Sequence, residues 1–216
     1  MQSLARAANT TRPVASAARL VFDCIQRFGD ASSNPVLDVL KDAPDFIQGQ
    51  KYPQPALAFA GGRWQTYYHS HPLTGVEPEE HGHFHLFVQH DEAGGEPAWT
   101  HLAALAMDRD GQPLRWFATN RWVTGGQWGE HERLLSAVDA LTPASEPGVL
   151  QQWLAAMMQL YRTELDALLC SRDAQLVGRL AACPAEQVLA DRSLYELAQS
   201  PIDLRLKLTS QLRGET

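Results

Sequence analysis

Histidine is missing from most of this chain. All eight histidines lie between His69 and His131, and the 68 residues before and 85 after hold none. Cysteine is scarce: Cys24, Cys170 and Cys183 are odd in number, far apart and form no CxxC pair. That argues against both a disulfide framework and a thiolate zinc site. Continuous apolar runs are absent too. The first twenty residues, MQSLARAANTTRPVASAARL, lack the core of a secretory signal, and no segment reaches membrane-spanning length. A cytoplasmic location with no membrane partner is the expectation. Positive charge is in deficit as well, and a formal net charge of −7 argues against a general nucleic-acid binder.

What is present is a foldable chain. Of 216 residues, 44% are hydrophobic and 20% charged, enough for a real core and one domain. The pattern divides it into a helical N-terminal part (1–56), a sheet (57–128) and C-terminal helices (129–216). Ala17, Leu20, Val21, Cys24, Ile25 and Phe28 have helical spacing, with Pro13 able to open the helix and Gly29 its stop. A short helix fits Pro35–Leu40, capped by Asn34. Three prolines make residues 42–56 a connector. Four strands are predicted at 63–71, 81–89, 98–107 and 113–123, the last two joined at Asp110-Gly111. Helices follow at 130–141, 147–170, 173–181, 185–198 and 201–212. The fold class is α+β: an antiparallel sheet, barrel-like in one version, flanked by helices.

The sheet carries the chemistry. Residues 60–131 hold nine acids and four bases, so the negative balance accompanies the histidines. Alternation along a strand puts His69 and His71 on one face, and His81, His83 and His85 likewise on one face, leaving Phe84, Leu86 and Val88 for the core. A symmetric hairpin pairs His71 with His81, His69 with His83 and Tyr67 with His85, close enough for the rings to converge on one ion. The same logic sets His101 opposite His85, and Asn120 opposite His101, with Trp116 and Trp122 on that face. Arg115 and Arg121 are expected on the face opposite His101. Neutral imidazole is the commonest transition-metal ligand, and with no cysteine nearby an open, catalytic site is favoured over a structural one. A metal-free histidine catalytic cluster and a hydrogen-bonded structural network are the alternatives.

The metal ligands expected are His69, His71 and His83, with a carboxylate from Glu77 (Glu79 and Glu80 being the other choices). His85, His101 and His131 are the catalytic candidates, and Trp116, Asn120, Arg121 and Trp122 the candidates for holding substrate. The chemistry expected is that of a mononuclear non-haem iron oxidoreductase on a small organic substrate, Fe(II) being preferred to Zn or Cu because tryptophan and tyrosine crowd the segment. A zinc hydrolase or lyase, or a non-catalytic carrier of metal, haem or a small ligand, is the alternative. His90, placed beyond a strand end, should be dispensable.

Gly62, His69, His71, Glu77 and Gly82 resemble the cupin metal motif, which implies a small β-barrel binding Fe, Mn, Zn, Ni or Cu, with His101 or His131 as the later ligand. His81, His83 and His85 resemble the HxHxH of histidine-triad nucleotide hydrolases, which implies attack on phosphate; Gly82 stands where that family has an apolar residue. In motif order, HSHP, EHGHFHLF and RWFATNRWVTGGQW, the whole chain looks most like a bacterial family of unknown function.

Overall fold

A computed structural model describes residues 2–71, 79–90 and 98–213. Six strands form one antiparallel meander in sequence order: β1 (Tyr52–Phe59), β2 (Trp64–His69), β3 (Gly82–His90), β4 (Ala98–Met107), β5 (Pro113–Thr119) and β6 (Glu196–Pro201). β1 and β6 are the two edges, so the sheet is open and not a barrel. Ahead of it lie α1 (Gln2–Asp30) and α2 (Pro35–Leu40). After β5 come α3 (Arg121–Thr124), α4 (His131–Asp139), α5 (Val149–Leu160), α6 (Arg162–Leu180) and α7 (Ala185–Leu189), with α8 (Leu204–Arg213) following β6. The α+β class holds.

Period-two alternation divides the two faces of the sheet. Tyr68, Phe84, Leu86, Val88, Leu105, Met107, Trp116 and Ala118 join one buried core with α1, α4 and α5. α5 is buried nearly all round, because it lies between the sheet and α1: Trp153 meets Phe84 at a ring separation of 6.5 Å, and α1 packs along it. Burying a large aromatic pair of this kind contributes several kcal/mol, about 1.5–3 per side chain. α2 starts where the Asn34 side chain accepts from the Leu37 N–H at 2.8 Å, with Pro35 in its first turn.

Several boundaries differ from the sequence reading. Residues 42–56 contain the start of β1, whose Pro53 and Pro55 are tolerated on an edge strand. The predicted helix 185–198 is α7 followed by the other edge strand, β6. The last central strand stops at Thr119, where the Asn120 side chain accepts from the Arg121 N–H at 2.8 Å and opens α3. The helical stretch from 147 breaks at Tyr161, and α6 then runs unbroken to Leu180.

The β3–β4 register matters most. His83 pairs with Ala106 and His85 with Ala104, but beyond Leu86–Ala103 the register shifts, and Phe87 pairs with His101. Leu102 and Ala103 therefore both face the helices, as a bulge allows. His101 is thereby turned onto the face of Ala104, the face that carries the histidines.

Candidate metal centre

The β2–β3 hairpin brings His69 opposite His83 and Tyr67 opposite His85, in the register expected from a symmetric loop. Gly82 lets the strands close there. A Cβ on it would lie 2.6 Å from the His69 carbonyl oxygen and 2.7 Å from the Tyr68 ring, so no side chain fits. The neighbouring positions on β4, Ala104 and Ala106, are fully buried and small, which leaves room over the sheet for imidazole rings.

Three ring nitrogens meet in that room. His69 Nε2 lies 2.8 Å from His83 Nε2 and 3.1 Å from His85 Nε2. Behind His83, its Nδ1–H donates to Glu80 Oε1 at 2.7 Å, which fixes the tautomer and leaves Nε2 bare. Behind His85, Nδ1 meets His101 Nε2 at 2.9 Å, and His101 Nδ1 approaches Thr119 Oγ1 at 3.5 Å. His69 can offer at most one Nε2 proton to two neighbouring acceptors. Metal–nitrogen bonds of about 2.0–2.1 Å place adjacent ligand nitrogens about 2.9–3.4 Å apart; the His69–His85 spacing lies in that range and the His69–His83 spacing just below it. The cluster of His69, His71 and His83 can hold a metal ion, each of its ligand atoms lying within 4.8 Å of the others.

Burial grades across the cluster. His83 and His85 are buried, His101 is nearly so, and His69 and His71 are half-buried, marking the solvent side. His71 Nε2 hydrogen-bonds the Tyr195 hydroxyl at 3.2 Å. Tyr67 and Phe117 pack against His85 and His83, with ring separations of 5.2 and 5.1 Å. Beyond His101, the cavity it shares with Thr119, Trp128 and Arg172 is about 10 Å³, room for one water.

The electrostatics favour neutral imidazole. Burial, then the neighbouring His83, His71 and Lys51, push His69 down to about 3. Burial, then Arg172 and His83, bring His101 to about 3 as well. His85 is lowered well below its ordinary value, first by burial and then by the surrounding histidines. Burial alone would raise the Glu80 carboxyl, but hydrogen bonds and charge from His83 and Arg115 outweigh it and hold it below the usual range. Glu80 Oε2 accepts from Arg115 at 3.2 Å, and Arg115 also pairs with Glu196.

The other sequence candidates are held by contacts of their own. His81 is not on the histidine face: β3 begins one residue later, and its ring stacks on Phe46 and accepts or donates at Tyr68 Oη, 2.8 Å away. Trp116 pairs with Leu105 and faces the helices, fully buried. Asn120 is tied to the Val188 carbonyl, Trp122 to the Leu194 carbonyl, and Arg121 to Glu186 through two bonds of 2.9 and 2.6 Å. Trp116 is therefore turned away from this face, whereas the Trp122 ring packs at 5.7 Å on Tyr195, the partner of His71, and Arg121 lines the small cavity beside His101. Arg115, in contrast, sits beside Ala106 on the histidine face, because the bulge that turned His101 left Arg115 where it was. His131 begins α4 and contacts α6. His90 is the last residue of β3, paired with Ala98, and not a loop residue. Glu77 lies outside the described residues.

Glu80 as a partner of His83, and Tyr195 as a partner of His71, were not singled out in the sequence. The first has a faint signal, a carboxylate three residues before a strand histidine; the second has none, since Tyr195, just ahead of β6, is 124 residues away. No curated protein and no solved structure matches the chain. The family model described as a domain of unknown function, DUF6969, matches residues 15–202, a stretch that contains the hairpin, the bulge and all the histidines, and the chain belongs to that family.

Proposed function

We propose that this protein is a metal-dependent enzyme with one transition-metal ion held by the Nε2 atoms of His69, His83 and His85, and His71 on the solvent side. The observation that carries the reading is that His69 Nε2 lies 2.8 Å from His83 Nε2 and 3.1 Å from His85 Nε2, with Glu80 behind one ring and His101 behind another. Carboxylate and imidazole partners of this kind orient metal-binding histidines and raise their basicity. All three rings approach from one sheet face, which differs from haem, whose ligands stand on opposite sides of the macrocycle.

Three imidazoles with an open further position are a donor set of catalytic zinc, and a Zn(II) ion there would supply Lewis acidity and an activated water for hydrolysis or lyase chemistry. The chain's own part is to exclude water from the buried side with Tyr67, Phe87 and Phe117, and to receive a small substrate beside His69 and His71. The His71 imidazole, hydrogen-bonded to Tyr195, is placed to carry a proton to solvent. Those same aromatic rings favour a second reading, a non-haem Fe(II) oxidoreductase acting on a small organic substrate, since imidazole suits iron as well as zinc and metal availability decides between them.

Separate loading of metal-free protein with Zn(II) and, anaerobically, Fe(II) tests both. The zinc reading expects turnover of ester, amide or carbonyl-hydration probes only in the zinc form. The iron reading expects nitric oxide to bind the Fe(II) form and give a high-spin paramagnetic resonance signal. A saturated four-nitrogen site, with His71 bound and no ligand exchange in either form, would contradict the enzyme and mark a carrier.

A further inference from the structure

A second group of ligand side chains lies away from the sheet, on α4 and α6. His131 is the first residue of α4; Asp166 and Cys170 stand four apart on α6 and so share one face of that helix. His131 Nε2–H donates to Asp166 Oδ1 at 2.7 Å. Cys170 Sγ lies 3.6 Å from the other ring nitrogen, Nδ1, and 3.9 Å from both Nε2 and Oδ1. For tetrahedral zinc, bond lengths of about 2.3 Å to sulfur and 2.0–2.2 Å to nitrogen and oxygen require ligand separations of about 3.3–3.6 Å. The Nε2–Oδ1 separation opens by about 0.6 Å to reach that range, and the Cys170 thiol, which stands beside Nδ1, turns about χ1 to face the ion, as its exposure allows.

The arrangement is partly built. Arg162, one turn earlier on α6, binds Asp166 Oδ2 at 3.0 Å and holds the carboxylate with Oδ1 turned to His131, while both its other bonds go to Asp139. Cys170 is exposed, and the side chains of His131 and Asp166 are 23% and 40% accessible, so an ion can enter and a water can fill the fourth position. Its sulfur sets this site apart from the all-nitrogen histidine face, because thiolate selects soft or borderline ions such as Zn(II) over harder ones.

We propose that His131, Asp166 and Cys170 form a second metal site, specific for Zn(II)-like ions, which clips the start of α4 to α6. Binding replaces the proton shared between His131 and Asp166 and releases the thiol proton to solvent, so the ion is held by imidazole, carboxylate and thiolate. The proposal does not depend on the histidine-face reading, since the two sites share no residue.

Cobalt(II) titration of the metal-free, full-length protein separates them, because only a thiolate ligand gives a near-ultraviolet sulfur-to-cobalt charge-transfer band. The expected result is a band that saturates at one equivalent for this site, is abolished by Cys170→Ser and survives His83→Ala. His131→Ala and Asp166→Asn should each weaken cobalt affinity at this band at least tenfold, with the far-ultraviolet circular dichroism unchanged. Should His131→Ala fail to fold, Asp166→Asn alone decides. No band in excess cobalt, a band retained in Cys170→Ser, or affinity unaltered in Asp166→Asn would overturn the site. Loss of the histidine-face ion in His83→Ala with this band intact would speak only to the function proposed above.

Discussion

Glu80→Gln is the sharpest single perturbation of the proposed metal centre. The Glu80 side chain is 4% exposed and serves two donors, His83 Nδ1 at 2.7 Å and Arg115 Nη2 at 3.2 Å. Glutamine keeps the shape but has one oxygen to accept with, and its amide N–H groups oppose whichever donor they face. His83 then loses the charged partner that fixes its tautomer and raises the basicity of Nε2. Removing such a partner costs about 10–100-fold in metal affinity, or about 1.4–2.7 kcal/mol. Arg115 keeps Glu196 at 2.8 Å, so the loss of fold stability should be that of one charged hydrogen bond, about 1.5–3 kcal/mol. Competition against a chromophoric chelator for Zn(II) or Co(II), in a Cys170→Ser background that silences the surface site, measures the first quantity; urea unfolding of the metal-free protein measures the second. Affinity within twofold of the parent, with the fold intact, would refute the reasoning that His83 Nε2 faces the ion with Glu80 behind it.

Gly82→Ala should disrupt the hairpin, because its Cβ would meet backbone and ring atoms at 2.6 and 2.7 Å; a lower midpoint in urea together with lost metal binding checks this, and an unchanged midpoint contradicts it. Ala106→Leu overpacks the row between His83 and Arg115 and should cost about 1–3 kcal/mol while lowering metal content, read by denaturation and elemental analysis. Acid should destabilise the metal-free protein. Unfolding frees His85 and His101 to take up protons below about pH 6.5, whereas in the fold burial keeps His101 neutral down to about 3 and His85 well below its ordinary value. The unfolded chain binds more protons across that window, so stability falls with falling pH by up to about 1.4 kcal/mol per unit for each group. Thermal melts from pH 7 to 4 should show it, with a shallower slope in His101→Gln; a flat profile would contradict it.

The histidine face was legible because period-two alternation is a property of the strand itself, and because a symmetric loop puts His69 opposite His83 without further information. His81 was misplaced since nothing in HGHFH marks Gly82 as the first strand residue. His101 reached the correct face for a reason the sequence hides: its register with β3 is three residues off the symmetric expectation near His85, and a bulge at Leu102–Ala103 reverses it. The tryptophans misled because Leu105 pairs with Trp116 as a two-residue turn at Asp110-Gly111 predicts, despite a shift at Met107, yet the bulge at Leu102–Ala103 separated His101 from Trp116. Both edge strands escaped notice, β1 through its prolines and β6 because ELAQSP has little alternation to read. Asp166 and Cys170 are only meaningful once α4 and α6 are seen to pack, a long-range fact.

The most direct test of the central claim is elemental analysis of untagged protein carrying Cys170→Ser, compared with the same protein carrying His83→Ala as well. The account predicts about one transition-metal ion per chain in the first, by the ligand logic of a single convergent site, and close to none in the second, with the helical circular dichroism of both alike. Protein that takes up no ion on titration with Zn(II), Fe(II) and Co(II), or equal metal content with and without His83, would contradict it.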